Sequence, residues 1–507
     1  MPRRAAVRSL DVVCFSHLRW GFIFDRPHHL MMRFARTRRV FFIEDPVFGA
    51  PASHAVVKSI EGVHVVVPHL PAGIDAERAR LEQRRLVGAV LQGYEVHAPL
   101  VWFYTPLALP LIDDLETSGI VFDCMHDVAT RDMTASETIE LESELLSRSH
   151  VVFVGGFSLY DIKHQLHHAV HLCPSSVDVH HFADARQSAR TPPDLGRIPR
   201  PRVGFAGVID DRIDLALIND LATRQPAWQF VMLGPVSGID PQSLPRPANI
   251  HYLRMKSYED LPAYLRGWDV ALIPFVSDDA TRTLNPIQTL EYLAAGLPVV
   301  STPIRDVAEV FGRNGLVQIA GSPAEFHDAI AAALQPGGRA AVERAQTVLS
   351  TTSWDRVFGA MCRILERSEI TWLPAWQTSA LSGRPVVLKA VPPPEDGATL
   401  GRSSGRRSDA MLSANPAEAR ERSRRAKADG APGRSRTCDP RLRRHLVGET
   451  ARNGRNPRHF ATQIGYFRRL FSRDPQLGRA ASFRRKYADS RALTENTDNR
   501  SALAAPL

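Results

Sequence analysis

The sequence predicts an α/β protein built from two doubly wound domains, each around a parallel sheet, over about the first 370 residues. Short β-branched runs alternate there with longer stretches of helical period, which is typical of βα units. Residues 184–201, rich in Pro, Arg and small side chains, interrupt the alternation, which then restarts. A chain of 507 residues, 44% of them hydrophobic, is also too long for one core. We therefore predict two domains.

The strands are predicted from short apolar, β-branched runs and the helices from amphipathic stretches. In the first domain the predicted strands are 11–15, 40–44, 63–68, 100–104, 120–125, 151–156 and 169–174, with helices at 28–38 and 136–149. In the second domain the predicted strands are 202–208, 229–234, 250–253, 270–275, 298–302 and 316–320.

Two helix starts are marked by capping residues. Ser322, Pro323 and Glu325 supply an N-cap, a first-turn proline and a capping-box acid. Ser353 is the predicted N-cap of a last helix, 354–369, which we expect to cross back to the first domain. The predicted organisation is a first Rossmann-like domain (1–185), a linker (186–200), a second Rossmann-like domain (201–349), the crossing helix (350–370) and an Arg-rich tail (371–507).

The basic character of the chain, +9 overall, is confined to its tail. Residues 371–507 hold 27 Lys and Arg against 12 Asp and Glu, a charge of +15, which leaves −6 for residues 1–370. A mildly acidic globular part argues against nucleic acid as a partner, although a local pocket of Arg is compatible with a diphosphate.

The tail is predicted to be disordered, because it has few apolar clusters to offset the entropy of ordering. Its Arg runs, 422–427 and 484–486, indicate either an arm for an anionic partner or a solvated, unselected tail. The stretch 430–444 looks like peptides translated in a spurious frame around transfer-RNA genes. We therefore favour the second interpretation, since a frameshift or read-through would explain both the composition and the length of the tail.

The five cysteines are far apart and form no Cys-x-x-Cys pair, which indicates neither a zinc site nor a disulfide framework and fits a reducing cytoplasm. The first apolar run is short and is broken by Arg8 and Asp11, so it predicts a strand rather than a signal peptide. No segment approaches the ~18–20 apolar residues of a membrane span. Any membrane contact is expected to be peripheral.

Two segments of the second domain have residues suited to a phosphate-bearing ligand. In the first, Gly207 follows a strand and would let the backbone approach a phosphate, while Arg212 offers a charge-assisted hydrogen bond. Gly204 and Gly207 alone fit ordinary packing at a βα turn equally well.

The second segment, 281–303, is more specific. Asn285 as N-cap and Pro286 at the first helical position predict a helix whose free N–H groups form an anion site. Glu291, nearly two turns in, is placed to accept hydrogen bonds from two ribose hydroxyls, and Gly296 ends the helix. On local features alone, a surface helix with a solvated Glu is an equal alternative.

Nine segments, in order and at matching spacing, carry a family resemblance over residues 11–369. They are FSHLRWGFIFDRPHHLMMRFA (15–35), RRVFFIEDPVF (38–48), WFYTP (102–106), VFDCMHD (121–127), VVFVGGFSLY (151–160), PSSVDVHHF (174–182), GFAGVIDDRIDL (204–215), NIHYLRMKSYEDLPAYLRGWDVALIPF (249–275) and TRTLNPIQTLEYLAAGLPVVSTP (281–303). With these segments the chain resembles the retaining, family-4-like GT-B glycosyltransferases, in a bacterial branch associated with exopolysaccharide and galactofuranose-type glycan assembly.

The resemblance implies a GT-B fold of two facing Rossmann-like domains, with a nucleotide sugar bound mainly by the second and an acceptor by the first. It implies that Glu291 holds the ribose, that Arg212 binds the diphosphate and that the turn 285–289 binds the phosphates through its backbone. The expected nucleotide-binding residues are Gly207, Asn285, Ile287, Thr289 and Glu291.

The resemblance also implies no metal and no other cofactor, because Arg or Lys side chains and helix N-termini stabilise the leaving group in such enzymes. Asp210-Asp211 and Asp278-Asp279 accordingly lack the Asp-x-Asp spacing of metal-using transferases. The clustered His164, His167, His168 and His171 lack an acid or Cys to complete a ligand set, so we interpret them as an exposed helix and a strand.

Two positions depart from the family pattern. Gln288 stands where this branch usually has Lys, and Thr283 stands where many relatives carry an acid eight residues before the ribose Glu. Losing a cation beside a leaving diphosphate costs ~3 kcal/mol of transition-state stabilisation. Arg282 is close enough in the chain to compensate.

On the first domain, Arg19, Trp20, Arg26 and His29 are predicted to line the acceptor side of the cleft. His126 and Asp127 follow a strand where relatives tend to place acids, and a polar pair at a strand's carboxyl end suits an acceptor hydroxyl. Satisfied loop residues are the alternative for this pair. The predicted catalytic residues are Arg212, Arg282, Gln288, His126 and Asp127.

The sequence therefore predicts a cytoplasmic, retaining, metal-independent transferase that moves a hexose from a nucleoside-diphosphate sugar to a glycan or lipid-linked acceptor, at the inner membrane face. A catalytically weakened GT-B protein that binds nucleotide or glycan as an assembly partner is the main alternative, motivated by Gln288 and Thr283. A GT-B sugar-nucleotide epimerase is a third, for which stronger catalytic acids and His would be expected.

Overall fold

The computed structural model describes residues 10–49, 51–127, 136–184, 191–278, 281–337, 340–368 and 370. The predicted tail, 371–507, lies outside the described residues. Residues 186–190 of the predicted linker also lie outside them. The described chain forms two α/β domains, one around each of two sheets.

The first domain is built on a nine-stranded sheet in the order β3-β5-β2-β1-β6-β7-β8-β9, with β4 paired to β5. The strands are β1 (Val12–Ser16), β2 (Val40–Glu44), β3 (Val47–Phe48), β4 (Ser53–Lys58), β5 (His64–Leu70), β6 (Leu100–Phe103), β7 (Gly119–Cys124), β8 (Val151–Val154) and β9 (Val170–Leu172). Only β4 is antiparallel to its neighbour. All seven predicted strands are present; β3 and β4 were not predicted, since both are exposed or half-buried and lack a long apolar run.

Helices cover both faces of this sheet, as its parallel strands require. They are α1 (Arg26–Ala35), α2 (Ala76–Gly93), α3 (Ser136–Arg148) and α4 (Phe157–Lys163), with a 3₁₀ helix at Pro106–Ile112. The next helix, α5 (Val179–Asp184), packs against the second domain, whose core includes Phe182. Helix α1 begins two residues earlier than predicted, because Asp25 caps it and Pro27 occupies its first turn.

The second domain has a six-stranded parallel sheet in the order β12-β11-β10-β13-β14-β15. The strands are β10 (Arg202–Ala206), β11 (Gln229–Leu233), β12 (Ile250–Tyr252), β13 (Val270–Ile273), β14 (Val299–Ser301) and β15 (Gln318–Ile319). Its helices are α6 (Pro193–Gly196), α7 (Leu215–Arg224), α8 (Leu261–Arg266), α9 (Gln288–Ala294), α10 (Arg305–Val307), α11 (Pro323–Ala333) and α12 (Ala340–Leu349), with a 3₁₀ helix at Pro241–Ser243 and a π-helical turn at Ala308–Gly312. The chain continues into α13 (Trp354–Leu365), which lies on the first domain. This strand order reverses between β10 and β13, the topological switch point of a doubly wound sheet.

Part of the predicted linker is folded onto the second domain. Helix α6 buries Leu195 completely in that domain's core, where Ile198 is also buried. Asp194 binds the Lys256 ammonium at 2.8 Å and the Tyr264 hydroxyl at 2.9 Å. This part of the segment was predicted as a linker because of its Pro- and Arg-rich composition, in which the few residues that anchor it to the domain do not stand out.

The last helix, α13, begins at Trp354 with Ser353 as its N-cap, and it packs against the first domain. Its Trp354, Met361 and Leu365 are buried in one apolar cluster with β1, β2 and Phe34 of α1. Its Asp355 pairs with Arg33 of α1 at 3.0 Å. The chain therefore returns to the first domain after completing the second.

Within the described ranges, no helix has both the length and the apolar character that a bilayer crossing requires.

Gly204 in β10 packs directly against a tryptophan side chain in the core of the second domain. A Cβ built on this glycine would lie 2.0 Å from the indole of Trp268, which is fully buried. Neither the central strand nor the indole has room to move in a close-packed interior. We predict that Gly204→Ala lowers the free energy of unfolding by about 2–3 kcal/mol, measured by urea titration.

Gly88→Ala is the matched control. Gly88 lies within α2, is exposed, and a Cβ built on it would meet nothing within 4 Å. Because alanine favours the helix over glycine, this change is expected to stabilise the protein by about 0.5–1 kcal/mol. Equal stability of the two variants would contradict the packing described for Trp268.

Candidate functional site

A solvent-open cleft of about 1080 Å³ lies between the two domains, at the carboxyl ends of β10 and β13. On the second-domain side it is lined by Phe205, Gly207, Val208, Arg212, Phe275, Leu284, Asn285, Pro286, Ile287 and Gln288. On the first-domain side Phe22, Asp25, Arg26, Met125 and His126 are among the lining residues. The cleft therefore opens at the switch point, where doubly wound sheets bind their ligands.

A glycine directly follows each of two neighbouring strands of the second sheet, Gly207 after β10 and Gly234 after β11. A Cβ on Gly207 would lie 2.9 Å from the Phe205 ring and 3.1 Å from the Gln288 side-chain nitrogen. Gly234, at φ +141°, follows β11, and its Cβ would lie 1.8 Å from the Gly207 carbonyl oxygen. Gly234 requires glycine, because of its positive φ and its backbone neighbour. Gly207 lines the cleft, and its amide donates to the Leu233 carbonyl at 2.9 Å.

Helix α9 begins two residues later than predicted, at Gln288, and Asn285 is not its N-cap. The Asn285 side-chain amide instead donates to the Gly155 carbonyl of the first domain. A tight turn leads into the helix, with the Thr289 amide bonded to the Pro286 carbonyl at 3.1 Å. The prediction failed here because the side chain bridges the domains, a contact that local sequence does not encode.

The end of α9 agrees with the prediction. Gly296 follows the C-cap residue Ala295 with φ +82°, the left-handed conformation that favours glycine at this position. Glu291 is thus one turn into a seven-residue helix rather than nearly two turns into a longer one.

The predicted residues of α9 and its approach differ in accessibility. Ile287 and Gln288 line the cleft, and Ile287 also packs against the apolar cluster of the first domain. Thr289 is buried, and its hydroxyl has no hydrogen-bond partner among the described atoms. Thr289 therefore does not reach the cleft.

Arg212 lines the cleft and is partly neutralised by its own loop. Its guanidinium is paired with Asp210, at 2.9 Å from Nε and 2.6 Å from Nη2. Arg282 is exposed on the turn before α9 and is not among the residues that line the cleft. Thr283, beside it, is buried. Arg212 is thus the cation of the second domain that the structure brings to the cleft.

Asp127 does not face the cleft as predicted. Its carboxylate binds the Lys163 ammonium at 2.9 Å, and both side chains are buried with Glu142, which binds the same ammonium at 2.8 Å. A buried cation needs such partners, so Asp127 has a structural role. His126, the preceding residue, is half-buried and does line the cleft.

Arg26 reaches the cleft wall but is not available to a substrate. Its Nε lies 3.0 and 2.9 Å from the two carboxylate oxygens of Asp123, and its Nη1 donates to the Cys173 carbonyl at 2.8 Å. The pair is buried, with 2% and 0% of the side chains exposed. The predicted acceptor contact is corrected to a structural link between α1, β7 and the end of β9.

Arg19, Trp20 and His29 also lie away from the cleft lining. Arg19 pairs with Glu44 at 3.0 Å, and the Trp20 amide donates to the same carboxylate at 2.8 Å. The His29 ring stacks on Trp354 at 4.4 Å between ring centroids. Burial lowers the pKa of His29 well below its ordinary value. These residues attach the first loop and α1 to the domain's own core.

Asp25 lines the cleft and was not predicted. It is the N-cap of α1, in a capping box completed by His28. Burial raises the pKa of Asp25, opposed by its bond from the Arg26 amide and by the charges of Arg26 and Arg212. The signal in the sequence was an Asp followed by a Pro two residues on, an N-cap pattern that places a carboxylate at the end of a helix.

Glu291 lies at the domain boundary but is mostly covered, with 8% of its surface exposed. Burial raises its pKa to about 8, and the charge of Asp25 on the opposite domain adds to the increase. Glu291 in turn raises the pKa of Tyr258, after the larger effect of burial. Glu291 is not among the residues that line the cleft, so the carboxyl that was predicted to hold the ribose lies beside the cleft rather than on its open wall.

Within the described ranges, no group of three His, Cys, Asp or Glu side chains converges in a way that could hold a metal ion. The clustered histidines of the first domain have other contacts: His164 stacks on Tyr160, and the His167 ring lies 3.0 Å from the Ser149 carbonyl oxygen.

Residues 200–336 match the family Glycosyl transferases group 1. A stretch of 161 residues is 26% identical to a putative teichuronic acid biosynthesis glycosyltransferase of Bacillus subtilis strain 168, covering 31% of this chain and 41% of that protein. The chain thus spans about two fifths of the length of this curated relative.

Solved structures resemble the described domains over most of their own length. Sucrose-phosphate synthase from Thermosynechococcus elongatus is similar at a TM-score of 0.54 and 14% identity, over 71% of this chain and 98% of its own. HepE from Anabaena, solved with UDP and glucose, has a TM-score of 0.51 and 13% identity, over 71% of this chain and 100% of its own. An E. coli trehalose-6-phosphate protein bound with UDP-2-fluoro glucose has a TM-score of 0.55 and 12% identity, over 70% of this chain and 99% of its own. The predicted GT-B fold is confirmed.

The position of Glu291 makes a pH-dependent contribution to stability. Because its folded pKa of about 8 exceeds its ordinary value of 4.5, the folded state holds a proton that the unfolded state releases between these values. This contribution is complete below the ordinary value and is lost as pH rises through about 8. The free energy of unfolding of the wild type is expected to fall between about pH 5 and about pH 9. We predict that this fall is smaller in Glu291→Gln by roughly 2–4 kcal/mol.

Urea titrations at the two pH values measure this difference. Glu343→Gln, at an exposed position of α12, is the control and is expected to keep the wild-type pH dependence. A Glu291→Gln variant that loses stability with pH as steeply as the wild type would contradict the buried position of this carboxyl.

Proposed function

We propose that this chain, with its GT-B fold and its glycosyl transferases group 1 domain, transfers a hexose from a nucleoside-diphosphate sugar to a glycan or lipid-linked acceptor. The observation that carries the proposal is the cleft at the switch point, where the bare Gly207 backbone, Arg212 and Gln288 face Asp25 and His126 of the first domain. A donor held by the second domain would meet an acceptor held by the first.

The diphosphate is proposed to lie along Gly207 and the approach to α9. Glycine there admits a phosphate close to the backbone, and the Gln288 amide nitrogen lies within 3.1 Å of a Cβ built on Gly207. Arg212 has two of its nitrogens committed to Asp210, which leaves Nη1 to donate to an anion. Glu291, which is covered beside this cleft, is proposed to bind the ribose.

Retention of the sugar's configuration and independence from metal are parts of the same proposal. An Arg side chain and amide donors in a partly desolvated cleft stabilise a leaving diphosphate without a bound cation. His126 and Asp25 of the first domain line the cleft and are proposed to contact the acceptor. The similarity to a putative teichuronic acid biosynthesis glycosyltransferase favours an acceptor of the cell envelope.

A second candidate function is nucleotide or glycan binding without turnover. It is favoured by Gln288, which is neutral and lines the cleft, and by Asp210, which offsets the charge of Arg212. A donor site with so little positive charge would bind a nucleotide sugar but would stabilise the departing diphosphate weakly.

A panel of nucleotide sugars with glycan and lipid-linked acceptors, with and without a chelator, distinguishes these functions. The proposed function predicts transfer from one donor, undiminished by the chelator. Tight nucleotide binding without transfer, unchanged in Gln288→Lys, would establish the binding protein instead. An epimer formed without acceptor would establish an epimerase.

The charge of residue 288 is expected to set the rate. Because Lys would place a cation beside the leaving diphosphate, we predict that Gln288→Lys raises kcat by about 10- to 100-fold. Gln288→Leu, similar in size and uncharged, is the matched control and should lower kcat. A kcat for Gln288→Lys at or below that of Gln288→Leu would contradict a diphosphate at this position.

Arg212 is expected to contribute at the same stage of the reaction. We predict that Arg212→Ala lowers kcat by about 100-fold, since a single donor to developing charge contributes that much elsewhere. Arg212→Lys should recover part of the loss, because it restores the positive charge without the planar, forked donor geometry of the guanidinium. Steady-state kinetics on both variants measures this, and unchanged kcat for Arg212→Ala would remove Arg212 from the site.

A further inference from the structure

Helix α4 of the first domain is capped by a residue of the second domain. Its own N-cap position is Gly156, which has no side chain to bond the first helical amides. Asp306 of α10 accepts hydrogen bonds from the Ser158 amide at 3.0 Å and from the Ser158 hydroxyl at 2.6 Å, both at Oδ1. Asp306 is only 2% exposed, so this cap is buried in the domain boundary.

The contact requires glycine at position 156. A Cβ built there would lie 1.9 Å from Asp306 Oδ2 and 3.2 Å from the Asn285 Cβ. Gly155 differs, since its Cβ would come no closer than 3.8 Å to the Ser175 hydroxyl. The two domains therefore approach at Gly156 more closely than any side chain permits.

Two further bonds join the same surfaces. The Asn285 amide donates to the Gly155 carbonyl, and Arg305 pairs with Asp161 of α4 at 2.6 Å. The Arg305 pair is about half exposed and is expected to add little. Asn285 precedes α9 and Asp306 follows β14, so the turn before α4 is held by segments on both sides of α9.

The far end of α4 supports the first-domain wall of the cleft. Its last residue, Lys163, is 1% exposed and binds Asp127 at 2.9 Å and Glu142 at 2.8 Å. Asp127 directly follows His126, which lines the cleft. One short helix therefore connects the cap at Asp306 to the residue that faces the acceptor side.

We propose that Asp306 is an interdomain positioning residue, which caps α4 from the second domain and so fixes the spacing of the cleft and the place of His126 opposite the donor. The proposal rests on the proposed transferase function for its effect on rate. Asp306 touches neither Gly207 nor Arg212 in any contact described above, so it is not expected to bind the nucleotide.

The expected effect is on turnover rather than on donor affinity. A misplacement of about 1 Å between reacting groups costs on the order of 100-fold in rate. We predict that Asp306→Ala lowers kcat by about 10- to 100-fold and leaves the Kd for the nucleoside diphosphate within about twofold. Asp306→Asn keeps an oxygen that can accept from Ser158, and it should restore kcat to within about fivefold of the wild type.

Glycine substitutions supply a matched pair. Gly156→Ala is expected to lower kcat as Asp306→Ala does, whereas Gly155→Ala should leave kcat nearly unchanged. In the double variant, removal of the Asp306 carboxylate makes room for the new methyl group. We therefore expect the double variant to lose no more activity than Asp306→Ala alone, a non-additive result that two independent structural defects would not produce.

Hydrogen exchange of the peptide that contains Ser158 tests the helix cap independently of any measurement of activity. Faster exchange there in Asp306→Ala, together with the changes in kcat, supports the proposal. Wild-type exchange in Asp306→Ala, or a kcat equal to that of the wild type, overturns it. If the wild-type protein transfers no sugar, the proposed function fails, and exchange at Ser158 with the nucleotide Kd still decides whether Asp306 holds the domains.

Discussion

The contact between the β8–α4 turn and the residues that flank α9 is the constraint on which the cleft depends. Gly156 allows the backbone of the first domain to reach Asp306, and Asn285 bonds the adjacent carbonyl. The approach to α9, with Ile287 and Gln288, is therefore held against the first domain rather than left on a free surface. These bonds join the two walls of the cleft.

Buried charges of the first domain serve this same geometry. Arg26 ties α1 to Asp123, and Lys163 ties α4 to Asp127 and Glu142. Each ion is paired as burial requires, because an isolated charge in such a place would be strongly destabilising. Asp25, His126, Arg212, Asn285 and Gln288 are among the polar side chains that line the cleft, and the Arg212 guanidinium is paired with Asp210.

Much of the fold could be predicted from the sequence, because parallel strands that are buried on both faces appear as continuous apolar runs. Strand β2, at Val40–Glu44, has the predicted bounds, and the last helix begins at Trp354 as its N-cap indicated. Strands β3 and β4 have no such run and were not found.

The candidate site was harder to predict, because partners far apart in the chain decide whether a polar side chain faces the cleft. Gly207 and Gln288 line the cleft, and their predicted roles toward a nucleotide stay predictions. Arg26, Asp127 and His29 are occupied by Asp123, Lys163 and Trp354, none of them a sequence neighbour. Asn285 was given a local role as a cap, whereas its partner is on the other domain.

A crystal structure with a bound nucleoside diphosphate tests the central claim most directly. The account predicts the diphosphate beside the Gly207 backbone and Gln288, with Arg212 donating to it and the ribose hydroxyls bonded to Glu291. A diphosphate bound away from the carboxyl ends of β10 and β13, or a ribose that leaves the Glu291 carboxyl covered, would contradict it.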